Sequence, residues 1–266
     1  MTWAAFAFGL VIGSFLNVCI HRLPSGQSIV HPRSSCPGCG HLIRAYDNIP
    51  VLSYLLLRGR CRDCGTRISP RYPLVELLSG GFAAMAVTRF GPGWEGLLMF
   101  ALIAAFLVIT FIDIDHRIIP DVISLPGIGV GLAASFVPWL LIAPPQMVLS
   151  ALPVKTPLES VIGILAGGGS LFLVAWGYEM LTRREGMGGG DIKLLAMIGA
   201  FVGWKGVLFT IFVASLTGTL VGVALMLRQR GDMKLAVPFG PFLAIGAIAY
   251  LFIGPETFSW YLRAMR

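Results

Sequence analysis

Charge is scarce in this sequence. Asp, Glu, Lys and Arg make up 12% of its 266 residues, about half of the roughly 25% that a soluble domain carries. With 56% hydrophobic residues and a mean hydropathy of +0.81, that shortage argues against a water-soluble globule and for a chain that lives in a bilayer. Acidic residues are the rarer sign, 13 against 20 Lys and Arg, which leaves a formal charge of +7. The excess does not call for nucleic acid, because the loops that hold a membrane protein's orientation carry such an excess. Five cysteines are too few for a disulfide scaffold. No Ser/His/Asp set is apparent, and His116 has no nearby histidine at metal-ligand spacing. No internal repeat emerges. No basic segment precedes the apolar run from Thr2 to Ile20 and no small-residue cleavage site follows it, so the run reads as a retained first span.

Apolar sequence of spanning length is abundant. A helix needs about 20 apolar residues to cross a hydrocarbon core about 30 Å thick. That criterion predicts an all-α polytopic membrane protein of about eight transmembrane helices, near 3–20, 72–90, 94–113, 121–143, 159–181, 191–203, 206–227 and 237–254. The sixth is short, and Gly203-Trp204-Lys205 reads either as a turn at the far surface or as a wedge in a continuous hairpin, which would make seven. If the N-terminus is outside, Arg22, Arg33, Arg44, Arg58, Arg60, Arg62, Arg67, Arg71, Arg117, Arg183, Arg184, Arg228, Arg230 and Lys234 fall on one side, with Lys193 at a helix start there. Arg89, Lys155, Lys205, Arg263 and Arg266 fall on the other. The richer side is the cytoplasmic one. Three parts follow: a first transmembrane helix (1–20), a cytoplasmic module (21–71) and a larger transmembrane domain (72–266). The module is too small for a large core, so a staple is expected. Gly167-Gly168-Gly169 suits close helix packing.

The staple has an obvious source. Cys36-Pro37-Gly38-Cys39 and Cys61-Arg62-Asp63-Cys64 are two C-x-x-C knuckles 21 residues apart, near the spacing of four-cysteine zinc ribbons. Four thiolates close a tetrahedron, so zinc held by Cys36, Cys39, Cys61 and Cys64 would be structural. Gly38, Gly40 and Gly65 supply the backbone freedom of such turns. Two disulfides or four unligated thiols are the alternatives, and a reducing cytoplasm argues against the disulfides. Cys19 stands alone near the end of the first span, where a buried apolar role is expected.

Because acids are few, their places carry information. Asp113 and Asp115 end the third span, and Asp191 opens the sixth after Gly188-Gly189-Gly190. Both segments fall at cytoplasmic helix ends in the orientation above, so carboxylates far apart in sequence can meet at one depth, and ionisable groups there mark function. Two carboxylates sharing a proton can hydrolyse a peptide bond, one activating water and the other polarising the carbonyl. The glycines before Asp191 leave room for an extended substrate backbone. Residues two apart on a helix point nearly opposite ways, so at most one of Asp113 and Asp115 can face Asp191. Plainer readings stand beside these. Asp121 after Pro120 suits an N-cap, Asp191 could be only a cap, and Glu76 inside the second span suits either function or a helix–helix hydrogen bond. Glu179 reads as interfacial, and Asp47 and Asp63 as solvated loop residues.

In order along the chain, Gly13-Ser14-Phe15-Leu16-Asn17-Val18 with Arg22-Leu23-Pro24, the two knuckles, Tyr72-Pro73-Leu74-Val75-Glu76, Asp113 through Asp121, Glu185 through Leu194 and Pro238-Phe239-Gly240-Pro241 resemble the bacterial type IV prepilin leader peptidases/N-methyltransferases, along nearly the whole length. The resemblance implies an aspartyl protease of the Gly-x-Gly-Asp type with Asp113 and Asp191 as its catalytic pair. It implies cleavage of the basic leader from type IV prepilins or type II secretion pseudopilins at the cytoplasmic face of the inner membrane. It also implies methylation of the new N-terminus with S-adenosylmethionine, for which no residues stand out. Expected partners are those substrates and membrane lipids, with the many loop arginines drawn to anionic headgroups, and no nucleic acid. Competing readings are a proton-coupled transporter using the Asp pair and a membrane scaffold whose zinc module docks a partner. Gathering of the motifs at one face favours the protease.

Overall fold

The computed structural model describes residues 1–140, 152–183, 188–228 and 237–264, with side chains omitted at 138–140, 255 and 258–264. The end of the expected fourth span at 141–143, Glu185 to Met187, and Arg184, Arg230, Lys234 and Arg266 lie outside the described residues, as does the Arg263 side chain. Regular structure among the described residues is helical: α1 (Thr2–Arg22), α2 (Leu52–Leu56), α3 (Arg71–Phe90), α4 (Trp94–His116), α5 (Asp121–Leu140), α6 (Pro157–Thr182), α7 (Gly189–Arg228) and α8 (Gly240–Ala264), with short 3-10 turns at Leu23–Ser25 and Ala45–Asn48. Extended pairing is limited there to two isolated bridges, Ser35 with Leu42 and Arg60 with Arg67. Four helical segments, Thr2–Ser25, Trp94–His116, Pro157–Thr182 and Gly189–Arg228, are long and apolar enough to cross a membrane. Asp121–Val137 and Gly240–Gly254 are shorter apolar helices. The chain forms two compact units, Met1–Ile112 and Asp113–Arg266.

In the first unit α1 packs on α3. Their backbones touch where side chains are missing. A Cβ on Gly9 would meet the Ser79 carbonyl at 2.7 Å, and one on Gly13 would meet Glu76 Cα at 2.6 Å. Polar groups then close the seam. The Ser79 hydroxyl donates to the Gly9 carbonyl at 2.7 Å and the Asn17 amide to the Tyr72 carbonyl at 3.1 Å. A helical carbonyl keeps a second lone pair after its own i+4 bond, so these contacts add to the helices without breaking them. The Gly-Ser-Phe-Leu-Asn and Tyr-Pro-Leu-Val-Glu stretches are two sides of this one joint.

In the second unit α7 packs against α5, α6 and α8. From Leu194 to Gly203 it is apolar all round and every residue is buried, as expected of a helix enclosed by protein. That explains the shortness of the expected sixth span. The fourteen residues from Gly189 to Val202 reach about 21 Å, less than a lipid-facing helix needs, but a helix lined by others need not match the bilayer. Gly203 (φ 69°, ψ 178°) breaks α7 where the sequence suggested a turn, and only glycine adopts that backbone readily. The α6–α7 seam is built from small residues: a Cβ on Gly163 would run into the Gly199 carbonyl, one on Gly167 into the Leu195 carbonyl, and the Ser160 hydroxyl donates to the Ala200 carbonyl at 2.9 Å. Gly168 faces Ala196 at 3.2 Å, whereas Gly169 faces nothing within 4 Å. The start of α6 is fixed by Thr156, whose side chain accepts from the Glu159 N–H, while the Glu159 carboxylate accepts from the Lys155 N–H at 2.9 Å. This is a variant of the capping box.

Gly163 and Gly169 therefore make a matched test of the seam. Gly163→Leu is expected to destabilise the protein by at least about 1–3 kcal/mol through overpacking, with Gly169→Leu near neutral. Unfolding of each variant in mixed micelles measures the difference, and equal effects would contradict the packing described.

Candidate active site

The buried side of α4 runs through Met99, Ile103 and Phe106, and Asp113 lies two turns beyond Phe106. Asp113 is 5% exposed. Asp115, about 200° further round the helix, is exposed, as the spacing argument required. A carboxylate so enclosed needs a donor, and α8 supplies one. The Gly240 N–H, first of that helix, donates to Asp113 Oδ2 at 3.0 Å. The free N–H groups and positive dipole end of a helix suit a carboxylate. Gly240 must lack a side chain, since a Cβ there would lie 2.6 Å from Asp113 Oδ2.

Asp191 is the third residue of α7, inside its first turn and past the cap position. Its N–H bonds the Gly188 carbonyl at 3.2 Å. Its carboxyl is within electrostatic reach of Asp113. The second unit thus brings the two sequence-picked aspartates together from α4 and α7. Between them in the chain, Ile119 packs close to both flanking glycines: a Cβ on Gly190 would lie 3.0 Å from Ile119 Cβ, and one on Gly240 3.3 Å from Ile119 Cδ1. Asp121 is the first residue of α5, and its carboxylate holds Lys193 Nζ at 2.7 Å. The ion pair ties the start of α5 to that of α7, two residues from Asp191, a role the N-cap reading missed. The role of Gly240 within its Pro-Phe-Gly-Pro stretch carries no signal in residue type, because the donor is a main-chain N–H.

In the first unit the sulfurs of Cys36, Cys39, Cys61 and Cys64 all lie within 4.8 Å of one another. Cys36 Sγ and Cys64 Sγ are 3.7 Å apart, far beyond a disulfide of about 2.05 Å and close to the edge of about 3.8 Å that four zinc–sulfur bonds of 2.3 Å imply. Each knuckle turns through glycine, Gly40 at φ 73° and Gly65 at φ 69°. Gly38 serves differently: a Cβ there would meet Thr66 Oγ1 at 2.8 Å. The Thr66 hydroxyl and backbone N–H beside Cys64 hold its thiol down at about 6. At Cys39 the His41 backbone N–H acts in the same sense, but desolvation and the sulfurs of Cys64, Cys36 and Cys61 outweigh it and push the thiol up to about 12. Four sulfurs this close cannot all ionise without a cation among them. Two of the loop acids expected to be solvated also form ion pairs that brace the module. Asp47 takes Arg62 in a bidentate pair at 2.6–3.1 Å, and Asp63 lies 3.7 Å from Arg44. Glu76 proves to be an anchor: Oε2 accepts the Val51 N–H at 2.7 Å, and Ser14 also hydrogen-bonds it.

Known proteins align with both parts. The profile of the bacterial peptidase A24 N-terminal domain matches residues 7–90, and that of the type IV leader peptidase family matches residues 100–223. A prepilin leader peptidase/N-methyltransferase of Burkholderia pseudomallei (strain 1026b) is 39% identical over 275 residues, covering 94% of this chain and 84% of that protein. One from Aeromonas salmonicida (strain A449) is 38% identical, covering 97% and 92%, and one from Pseudomonas aeruginosa is 36% identical, covering 96% and 91%. Solved structures give no match. Nothing in these relatives favours a transporter. With both profiles matched in order and the relatives covered nearly end to end, the chain belongs to the type IV leader peptidase family.

Proposed function

We propose that this protein is a multi-pass enzyme of the bacterial inner membrane that removes the leader of type IV prepilins or type II secretion pseudopilins and N-methylates the product, with Asp113 and Asp191 as its catalytic pair at the cytoplasmic face. The activity is that of the named relatives. The observation that carries the residue assignment is the meeting of a buried Asp113 with Asp191. One Asp113 oxygen is occupied by the Gly240 N–H, which leaves the other free to act on water. Like charges within electrostatic reach of each other resist double ionisation, and in this mechanism the pair shares one proton. The ionised member takes a proton from the attacking water, and the protonated member donates to the scissile carbonyl. As the resulting gem-diol collapses and the C–N bond breaks, the proton held by the pair passes to the leaving amine and a diol hydroxyl returns its proton to the other carboxylate, which restores the starting state. Cleavage exposes a new α-amine, the group that S-adenosylmethionine would methylate when bound. Among the described residues no strand-to-glycine-loop of the soluble dinucleotide kind occurs, so the donor is not assigned to a site of that type.

Zinc on Cys36, Cys39, Cys61 and Cys64 fits the sulfur geometry and would fold the module. One zinc per chain is expected by elemental analysis. Because the ligands must be deprotonated, acid should release it, and Cys36→Ser should lower its occupancy and expose the module to limited proteolysis. Folded, metal-free protein would refute the assignment.

For the dyad, Asp113→Asn and Asp191→Asn should each cut leader cleavage by roughly 10²–10⁴-fold, with the double variant hardly worse than either. Asp115→Asn should retain substantial activity. Prepilin processing at matched expression is the measurement, and robust cleavage by Asp113→Asn would overturn the assignment.

A further inference from the structure

The knuckles of the first unit share one backbone design but differ in the side chains at their bridge positions. In each, an isolated antiparallel bridge closes the turn, with flanking bonds Cys36 N–H to His41 O and Ile43 N–H to Ser34 O in one, and Cys61 N–H to Thr66 O and Ile68 N–H to Gly59 O in the other. This pattern makes both bridges non-hydrogen-bonded pairs, the kind whose side chains stand closest, with Cα atoms about 4.5 Å apart. The first knuckle places Ser35 opposite Leu42, so the turn does not demand charge. The second places Arg60 opposite Arg67. Like charges directly opposed are destabilising. Both arginines line an open cleft of about 520 Å³ with Arg58, Tyr54, Ser69 and Pro70, and no lining residue is acidic. Arg58 itself sits at φ 52°, a left-handed backbone that glycine or asparagine adopts at less cost. Three cations converge where the fold alone would not put them, and an anion would relieve the repulsion.

The neighbouring helix shows where that anion comes from. Leu52, Leu55 and Leu56 of α2 are 50%, 65% and 73% exposed and follow the i, i+3, i+4 spacing of one helix face, while Ser53 is buried opposite them. The depth of α2 is fixed by Glu76, in the second turn of α3, which holds the Val51 N–H at the α2 cap. Side chains on a helix lean toward its N-terminus, so Val51 is pinned beside the opening turns of α3. Tyr72 there bonds Asn17, near the end of a membrane-crossing helix. A leucine face held at that level lies at the water–lipid boundary, where short amphipathic segments bury about 5–10 Å into the headgroup region.

We propose that Ile49–Leu56 lies in the interfacial layer of the bilayer and that the cleft of Arg58, Arg60 and Arg67 holds the phosphate of an anionic phospholipid. The site requires a membrane-spanning chain and neither catalytic assignment, so its loss and loss of protease activity are separate results.

The test uses the full-length protein. With p-benzoylphenylalanine in place of Leu55, irradiation in native membranes should give phospholipid adducts by mass spectrometry. Adducts to protein alone, including a substrate pilin, or no lipid adduct, would overturn the interfacial placement. In detergent titrated with phosphatidylglycerol, Arg67→Gln should weaken lipid binding about 5-fold and Arg60→Gln/Arg67→Gln about 20- to 30-fold, with Arg33→Gln within about 2-fold. Equal loss in Arg33→Gln, or no loss in the double variant, would refute a defined site. Inorganic phosphate binding as tightly as the lipid would refute the lipid as its source. Zinc content serves as the folding check, and Arg58→Gln, outside both knuckles, gives the same reading if the double variant loses metal.

Discussion

A buried carboxylate must have a donor, and the second unit is arranged so that Asp113 has one. Oδ2 of Asp113 takes the Gly240 N–H at the start of α8, which requires the end of α4 and the start of α8 to hold position within tenths of an ångström. Neither end is held by its own hydrogen bond. α8 is packed on α7, where Gly246 leaves a Cβ no room against the Thr210 carbonyl at 2.7 Å. α7 in turn is enclosed by α5 and α6 through Gly131, Gly163 and Gly167. Small residues along α7 therefore do for Asp191 what Gly240 does for Asp113: each lets a backbone come close enough to set a carboxylate in place.

The first unit obeys a similar constraint with a different purpose. Its module has little core of its own, and the Asp47–Arg62 and Asp63–Arg44 pairs sit at its surface with their arginines exposed, where an ion pair contributes only about 0–1 kcal/mol. The proposed metal staple on the four cysteines would supply what the pairs cannot. The module also needs a fixed bearing on the helices, and Glu76 gives it through the Val51 N–H. Val51 has φ 62°, an uncommon backbone for a β-branched residue, costing about 1–3 kcal/mol. The hydrogen bond from the Val51 N–H to Glu76 contributes in the opposite sense.

What the sequence made legible was periodic or chemical. Hydrophobic runs located the helices, cysteine spacing located the sulfur cluster, and the 100° step of a helix separated Asp113 from Asp115. What it hid was pairing between elements. Glu76 could not be read as an anchor because its partner is a main-chain N–H 25 residues away, and backbone groups carry no sequence signature. Gly240 was invisible for the same reason. Asp121 looked like a cap because Pro120 precedes it, whereas Lys193, 72 residues on, claims its carboxylate. The short sixth span was puzzling as a lipid-facing helix and is ordinary as an enclosed one, a distinction that hydropathy cannot make.

Most polar side chains described within the helices answer to the backbone. Ser79 donates to Gly9, Asn17 to Tyr72, Ser160 to Ala200, and Thr217 to Val213, each to a main-chain carbonyl. Such pairings make no demand on pH and leave no group reactive. The meeting of Asp113 and Asp191 is of another kind, since two acids offer each other no stable pairing unless they share a proton. Packing could have removed that conflict by turning either side chain away, as it turned Asp115 outward. Instead, close approaches at Gly163, Gly167, Gly240 and Gly246 set the helices that carry the pair. A pair of acids kept together inside the second unit, where neighbouring polar side chains find backbone partners, is the arrangement that the proposed chemistry would need.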